Sequence, residues 1–252
     1  MRALVPLLLL CGCQAFNDEC TALVAEPEAE IVTLADEVYL DRPNARHDNN
    51  AIGQASADAF ADAMSADLGV LNSGSLRSEG LCGVTRNVVR GKLTDQVLHE
   101  ILLFENTIVA TSLNGSELKA MFEHSAAQLF PAAQPIVSPS GQFLQVSKAV
   151  KLTIDCARAA GSRVTALTVN GQLVQTTDTA KLYRVALSSF LLGGGDGYLL
   201  AERNVEQAQK LGGIDSNIAS EYMKRTYFGT TLAKEPRLTL TGCAVPAPPA
   251  TP

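Results

Sequence analysis

The sequence predicts one α/β (α+β) domain, a mixed sheet with flanking helices. Three observations carry that prediction. Stretches with strand period and stretches with helix period alternate along the chain. The composition, 46% hydrophobic and 18% charged over 252 residues, is that of a globular chain able to build a core. Two local signals then fix a hairpin and a helix start: Asn170-Gly171 between apolar runs, and Asn114 three positions ahead of Glu117.

The elements follow in chain order. Ile31–Leu40 reads as a strand. Gln54–Ala66 carries Ala59, Phe60, Ala63 and Met64 on one helical stripe. Leu68–Leu71 is a short buried strand, and Asp95–Leu102 a short helix with Thr94 as its N-cap. Thr107–Leu113 alternates as a strand and leads into a helix whose face is Leu118, Met121, Phe122, Ser125 and Leu129. Phe143–Ile154, Arg163–Val169 and Leu182–Ser188 are strand runs, Ile218–Tyr227 a helix and Arg237–Thr241 a last strand. No linker or internal repeat interrupts residues 31–243, which therefore form one domain.

Charge and hydropathy narrow the function classes. The formal net charge of −6, with no Lys/Arg cluster, speaks against a nucleic-acid polymer as partner. No apolar run approaches the ~20 residues of a membrane-spanning helix. Residues 1–12 do form a basic head and a short apolar run ending in Leu10-Cys11-Gly12-Cys13, which resembles a bacterial lipoprotein signal and its cleavage box. The resemblance implies acylation of Cys13 and an exported chain anchored to a bacterial bilayer on its periplasmic or cell-surface side; an ordinary secretory signal is the alternative. Residues 13–30 read as an acidic tether and 244–252 as a proline-rich tail. Of the six cysteines, Cys20, Cys82, Cys156 and Cys243 then remain for two disulfides of open connectivity, or stay as buried thiols. No cysteine pair or histidine spacing supports a zinc site, and His47, His99 and His124 are expected in exposed or capping roles.

Several short motifs have the right chemistry for a small polar ligand. Gly193-Gly194-Gly195-Asp196-Gly197-Tyr198 places an acid within a loop whose backbone can turn sharply and approach a ligand; a purely structural glycine turn is the alternative. Phe104 and Asn106 follow a helix, a ring that can stack and an amide that can read a heterocycle edge; a core Phe with Asn as a turn residue is the alternative. Arg46 and Arg77 lie in loops and suit bidentate phosphate contacts. Taken in order, Asn72–Arg77, Gly91–Thr94, Phe104–Asn106, Leu113–Leu118, Gly141–Ser147, Ser162–Val164 and Phe190–Tyr198 resemble the C-terminal, substrate-recognition domain of the 5′-nucleotidases.

The resemblance implies a site. Phe104 and Phe190 would sandwich a nucleobase, Asn106 and Asp196 would contact base and ribose hydroxyls, Gly141 would line the pocket, and Arg46 and Arg77 would bind phosphate. The chain departs from the family pattern at Leu103, Lys148, Asn49 and Gln54, which bears on phosphate handling. Complete enzymes of the family also carry a two-metal phosphatase domain, whose Asp-x-His, Gly-Asn-His-Glu and Gly-His-x-His motifs do not occur here. No catalytic residue, metal or cofactor is therefore assigned to this chain. The expectation is a nucleotide- or nucleoside-recognition domain, hydrolytic only in trans with a separate metallophosphatase, or else a surface lipoprotein with a decayed pocket.

Overall fold

The computed structural model describes residues 30–77 and 88–247. The leader with Cys13, the tether as far as residue 29, Cys20, Cys82 and residues 248–252 lie outside the described residues. In chain order the elements are β1 (Glu30–Leu34), β2 (Val38–Tyr39), α1 (Arg42–Ala45), α2 (Ala51–Met64), β3 (Leu68–Asn72), β4 (Val88–Val89), β5 (Lys92–Thr94) and α3 (Asp95–Ile101). There follow β6 (Ile108–Asn114), α4 (Gly115–Ala126), β7 (Leu144–Val146), β8 (Val150–Asp155), β9 (Val164–Val169), β10 (Gln172–Leu173), β11 (Leu182–Ser188) and α5 (Ser189–Leu192). The last are β12 (Glu206–Gln207), α6 (Asp215–Thr226), β13 (Thr231–Leu232) and β14 (Leu238–Thr241).

A mixed sheet in the order β12-β6-β11-β3-β7 forms the middle layer. Only β11 and β3 run parallel in it; the other neighbours are antiparallel. Its central strands β6, β11 and β3 are buried along nearly their whole length because both faces are covered. Ile108, Ala110, Ala186 and Leu71 point into one core with Ile52 and Phe60 of α2, Leu98 and Ile101 of α3, and Tyr222 and Met223 of α6. Val109, Leu113, Val185, Leu187, Leu68 and Val70 point into a second core with Leu118 and Phe122 of α4 and Leu152 and Leu167 of the sheet β10-β9-β8-β14. The period-2 alternation of a strand thus feeds two cores from one sheet.

Local signals resolve as the sequence predicts. Thr94 caps α3 by accepting from Val97 N, and Asn114 with Glu117 forms a complete capping box on α4. Asn170 and Gly171 both adopt positive φ, 51° and 73°, and close the β9–β10 hairpin. Two expected long strands are each divided. Ile31–Leu40 breaks at Ala35–Glu37 into β1 and β2, which join different sheets. Phe143–Ile154 breaks at Ser147–Ala149, so that β7 pairs with β3 while β8 pairs with β9 and β14. Helix α2 begins at Ala51 rather than Gln54, because Asn50 accepts from Gly53 N at 3.1 Å and caps it there. Cys156 and Cys243 form a disulfide that ties β8 to the end of β14.

Two buried arginines brace the layers. Arg237 forms a two-pronged pair with Asp58, both contacts 2.9 Å, and also donates to the Val146 carbonyl at 2.9 Å. Arg163, within the expected Ser162–Val164 motif, donates to the carbonyls of Ala126 and Leu129 at 2.8 Å each, closing the end of α4.

Candidate functional site

Strand direction brings the site together. Strands β3 and β11 are parallel, so the segments after them, Asn72–Arg77 and Phe190–Tyr198, leave from the same edge of the sheet. Ile108 opposes Ser188, so the segment before β6, containing Phe104 and Asn106, arrives at that edge. Leu144 opposes Asn72, so Gly141, just ahead of β7, arrives there as well. In open mixed sheets the carboxyl ends of parallel strands are where ligands bind.

There the four segments and the end of α1 enclose a cavity of about 370 Å³. Arg46, Arg77, Phe104, Asn106, Gly141, Phe190 and Asp196, every residue the sequence singled out for a ligand, line it. Asn72, Gly74 and Ser75 complete the lining. Phe104 and Phe190 are 50% and 45% exposed and both line this one cavity. The Arg77 guanidinium lies over the Phe104 ring, 5.5 Å from its centroid. Arg46 reaches across to the Pro139 carbonyl at 3.1 Å. Two cationic side chains and one carboxylate thus face the cavity of an acidic chain.

The glycine-rich loop is shaped by what it must admit. A Cβ on Gly195 would sit 2.5 Å from the Phe190 ring, so only glycine lets the ring fold back over the loop. Asp196 itself adopts φ 52°, ψ 20°, between Gly194 and Gly197 at positive φ. Its Oδ2 accepts from Asn72 Nδ2 at 2.7 Å, and Ser75 Oγ donates to Asn72 Oδ1 at 2.8 Å. The Asp196 carbonyl accepts from His124 Nε2 at 2.9 Å, which requires the proton on that nitrogen. His124 packs edge-on against Tyr198, whose buried phenol donates to the Gln142 carbonyl at 2.5 Å and is pushed well above its ordinary pKa by burial. On the opposite wall, a Cβ on Gly141 would come within 2.9 Å of Gly74 Cα, so this part of the lining is bare main chain, tied by Gly74 N to the Gly141 carbonyl at 2.9 Å.

Several supporting residues escaped the sequence reading. Gln145 is fully buried; its amide donates to the Asp48 carbonyl at 2.8 Å and to Ser73 Oγ at 3.2 Å and accepts from Asn50 N at 2.9 Å, holding the Arg46 segment against the loop after β3. Only its place in Gly141–Ser147 hinted at a role. His124 and Asp215 reach the site from helices with no motif of their own. His47 is buried, not exposed: its Nε2 accepts from Phe130 N at 2.8 Å, and burial lowers its pKa. His99 is half-buried, with Nδ1 2.8 Å from the Asp95 carbonyl and Nε2 2.9 Å from Asn217 Oδ1; both nitrogens can donate there in the imidazolium form. Asn49 and Gln54 do not line the cavity; they bond each other at 2.9 Å and clasp Leu238 and Glu235 at the start of β14. Lys148 likewise sits elsewhere, its backbone N–H donating to Asp58 at 2.6 Å.

The sequence model of the family described as "5′-nucleotidase, C-terminal domain" matches residues 30–202. The chain belongs to that family. Its α6, β13 and β14 lie beyond the matched stretch and complete the same fold. A snake venom 5′-nucleotidase of Gloydius brevicauda is 30% identical over 161 residues, 62% of this chain and 25% of the relative. An apyrase of Tabanus yao is 29% identical over 203 residues, 74% of this chain and 34% of the relative. The chain therefore spans about a quarter to a third of these curated relatives. Among solved structures, the 5′-nucleotidase precursor from Thermus thermophilus shares the fold with a TM-score of 0.66 at 23% identity, over 84% of this chain and 39% of that one. The NAD nucleotidase of Haemophilus influenzae does so with a TM-score of 0.61 at 16% identity, over 85% and 38%.

Proposed function

We propose that this domain binds a nucleotide or nucleoside, with Phe104 and Phe190 stacking the base and Asp196 accepting from ribose hydroxyls. Asn106 meets the base edge, and Arg46 and Arg77 receive the phosphate. One observation carries the reading: two half-exposed rings, a conformationally constrained aspartate and two arginines meet in one cavity of about 370 Å³, the size of a small-molecule site. The 5′-nucleotidase and apyrase names of the relatives agree with a nucleotide as the ligand. Among the described residues no three His, Cys, Asp or Glu side chains gather as a metal site requires. We further propose that the phosphoryl chemistry belongs to a metallophosphatase unit acting with this domain.

Calorimetric titration with adenosine and AMP tests this. Stacking is worth ~1–3 kcal/mol per base, so Phe190→Ala should weaken both ligands roughly ten- to hundredfold. If Phe190 instead served the core, its truncation would lower the melting temperature with no binding to lose. Absence of heat and of any ligand-induced thermal shift at millimolar nucleoside would end the proposal.

We infer in addition that the chain is exported and held to a bilayer through acylated Cys13. The Cys156–Cys243 disulfide fits an oxidising compartment. No helix among the described residues is long and apolar enough to cross a membrane. Metabolic labelling with an alkyne fatty acid should mark the wild type and spare Cys13→Ser; equal labelling would reject the anchor.

A further inference from the structure

Asp215 opens α6 and is 1% exposed, yet its carboxylate faces the ligand cavity's amide. Asn106 Nδ2 donates to Asp215 Oδ2 at 3.3 Å, and the two backbones are locked by Asp215 N donating to the Asn106 carbonyl at 2.9 Å. Ser216 N donates to the other carboxylate oxygen at 2.8 Å, so the carboxylate has little freedom to turn away. The neighbouring bridge between Thr107 and Ile214 fixes the two segments on either side of the contact. An ionised carboxylate only accepts hydrogen bonds. It therefore holds the amide with nitrogen inward, and Asn106 Oδ1 has no hydrogen-bond partner among the described residues.

We propose that Asp215 is a specificity-determining positioning residue: by fixing the Asn106 amide with its nitrogen toward the helix, it leaves the amide oxygen as the acceptor offered to the ligand. The cavity then favours a heterocycle that carries an N–H donor on the edge facing Asn106 over one that offers only acceptors there. This inference rests on the nucleoside-binding reading and sharpens it to a class of base. Burial, with the Glu105 carboxylate adding in the same direction, pushes the Asp215 carboxyl up to about 6, so it is ionised under mildly alkaline conditions. A buried acceptor left facing a ligand without a donor is penalised, which gives the preference its size.

The test compares adenosine with purine riboside, which lacks only the exocyclic amino group, by calorimetry at pH 8. The wild type should bind adenosine about tenfold more tightly, the worth of one hydrogen bond. Asp215→Asn can donate as well as accept and lets the Asn106 amide turn. Its ratio should fall to within about threefold while purine riboside binds no more weakly than before. Asp215→Ser keeps a side chain suited to a helix start, withdraws the carboxylate from Asn106, and should give the same loss of ratio if Asp215→Asn fails to fold. Asn106→Ala should abolish the preference altogether. A ratio unchanged in both Asp215 variants, with the two ligands weakened equally, would mean a structural role only and overturn the inference while leaving nucleoside binding intact. A wild type that binds both ligands equally overturns it too. A wild type that binds neither removes the nucleoside reading itself.

Discussion

Arg237 in the seam between α2 and β14 and Arg77 in the cavity are the same type of residue in opposite circumstances. Arg237, 2% exposed, has its guanidinium committed to Asp58, Glu235 and the carbonyls of Gln54 and Val146. Arg77 lies at the cavity wall, and its guanidinium rests on an aromatic face. A charge buried for stability must be matched donor by donor, since taking it out of water is expensive. A charge kept for a ligand must be positioned without being consumed. The Phe104 face orients the planar Arg77 group and spends none of its N–H donors, as the proposed phosphate contact requires. The lesson is that polar satisfaction, more than residue type, separates architecture from recognition in this chain.

The largest effect is expected at the seam. Arg237→Ala should destabilise the fold by ~3–5 kcal/mol in denaturant titration, because it strands the Asp58 carboxylate in the interior. Arg77→Ala should move stability by no more than ~0.5 kcal/mol. It should weaken AMP selectively while leaving adenosine nearly unchanged. If the two variants unfolded at the same denaturant concentration, the distinction between consumed and reserved arginines would collapse.

A smaller effect probes a polar cluster of intermediate exposure, between α3 and α6. Burial works against protonation of His99, but its bonds to Asn217 and the Asp95 carbonyl outweigh that, so its pKa is raised. For Asp95, burial is likewise outweighed, by Ser220 and Lys224, and its pKa is lowered. A raised histidine contributes stability that is fully present below its ordinary 6.5 and fades as pH climbs through the folded value. A lowered aspartate contributes stability present above its ordinary 3.8 and lost on acidification. The cluster should therefore be strongest between those two ordinary values. With both side chains more than a third exposed to water, solvent screening limits the effect to a few tenths of a kcal/mol. His99→Gln should cost more stability at pH 6 than at pH 8.5; an identical cost at both would show the imidazole charge to be irrelevant.

Much of this was legible in the sequence wherever the determining contact is local. The capping box of Asn114 and Glu117, the Thr94 cap and the Asn170-Gly171 turn each depend on residues within one turn of each other, and each is as expected. The cavity-lining set was legible for a different reason: the family motifs carry Phe104, Asn106, Gly141, Phe190, Asp196, Arg46 and Arg77 as recognisable words. What escaped depends on distant partners. The breaks at Ala35–Glu37 and Ser147–Ala149 are chosen by which sheet each half-strand joins, not by local propensity. Gln145 acts through Asn50 and Ser73, His124 through Asp196, and Asn106 meets Asp215 across 109 positions of chain. An isolated Gln, His or Asp carries no periodicity that could announce such a partner. His47 shows the same limit, since the Phe130 backbone N–H and ring that it meets lie 83 positions away.

Four neighbouring strands, β6, β11, β3 and β7, carry the four segments that line the cavity, and those strands are joined by continuous backbone ladders. Moving the roots of these segments apart would therefore mean shearing the sheet itself, a motion opposed by both cores at once. Such ladders exchange their amide hydrogens near the slow end of what a domain allows. On the proposed reading, an incoming nucleoside meets a mould already set: its capture is timed by diffusion and orientation, and its departure by how firmly Phe104 and Phe190 grip it.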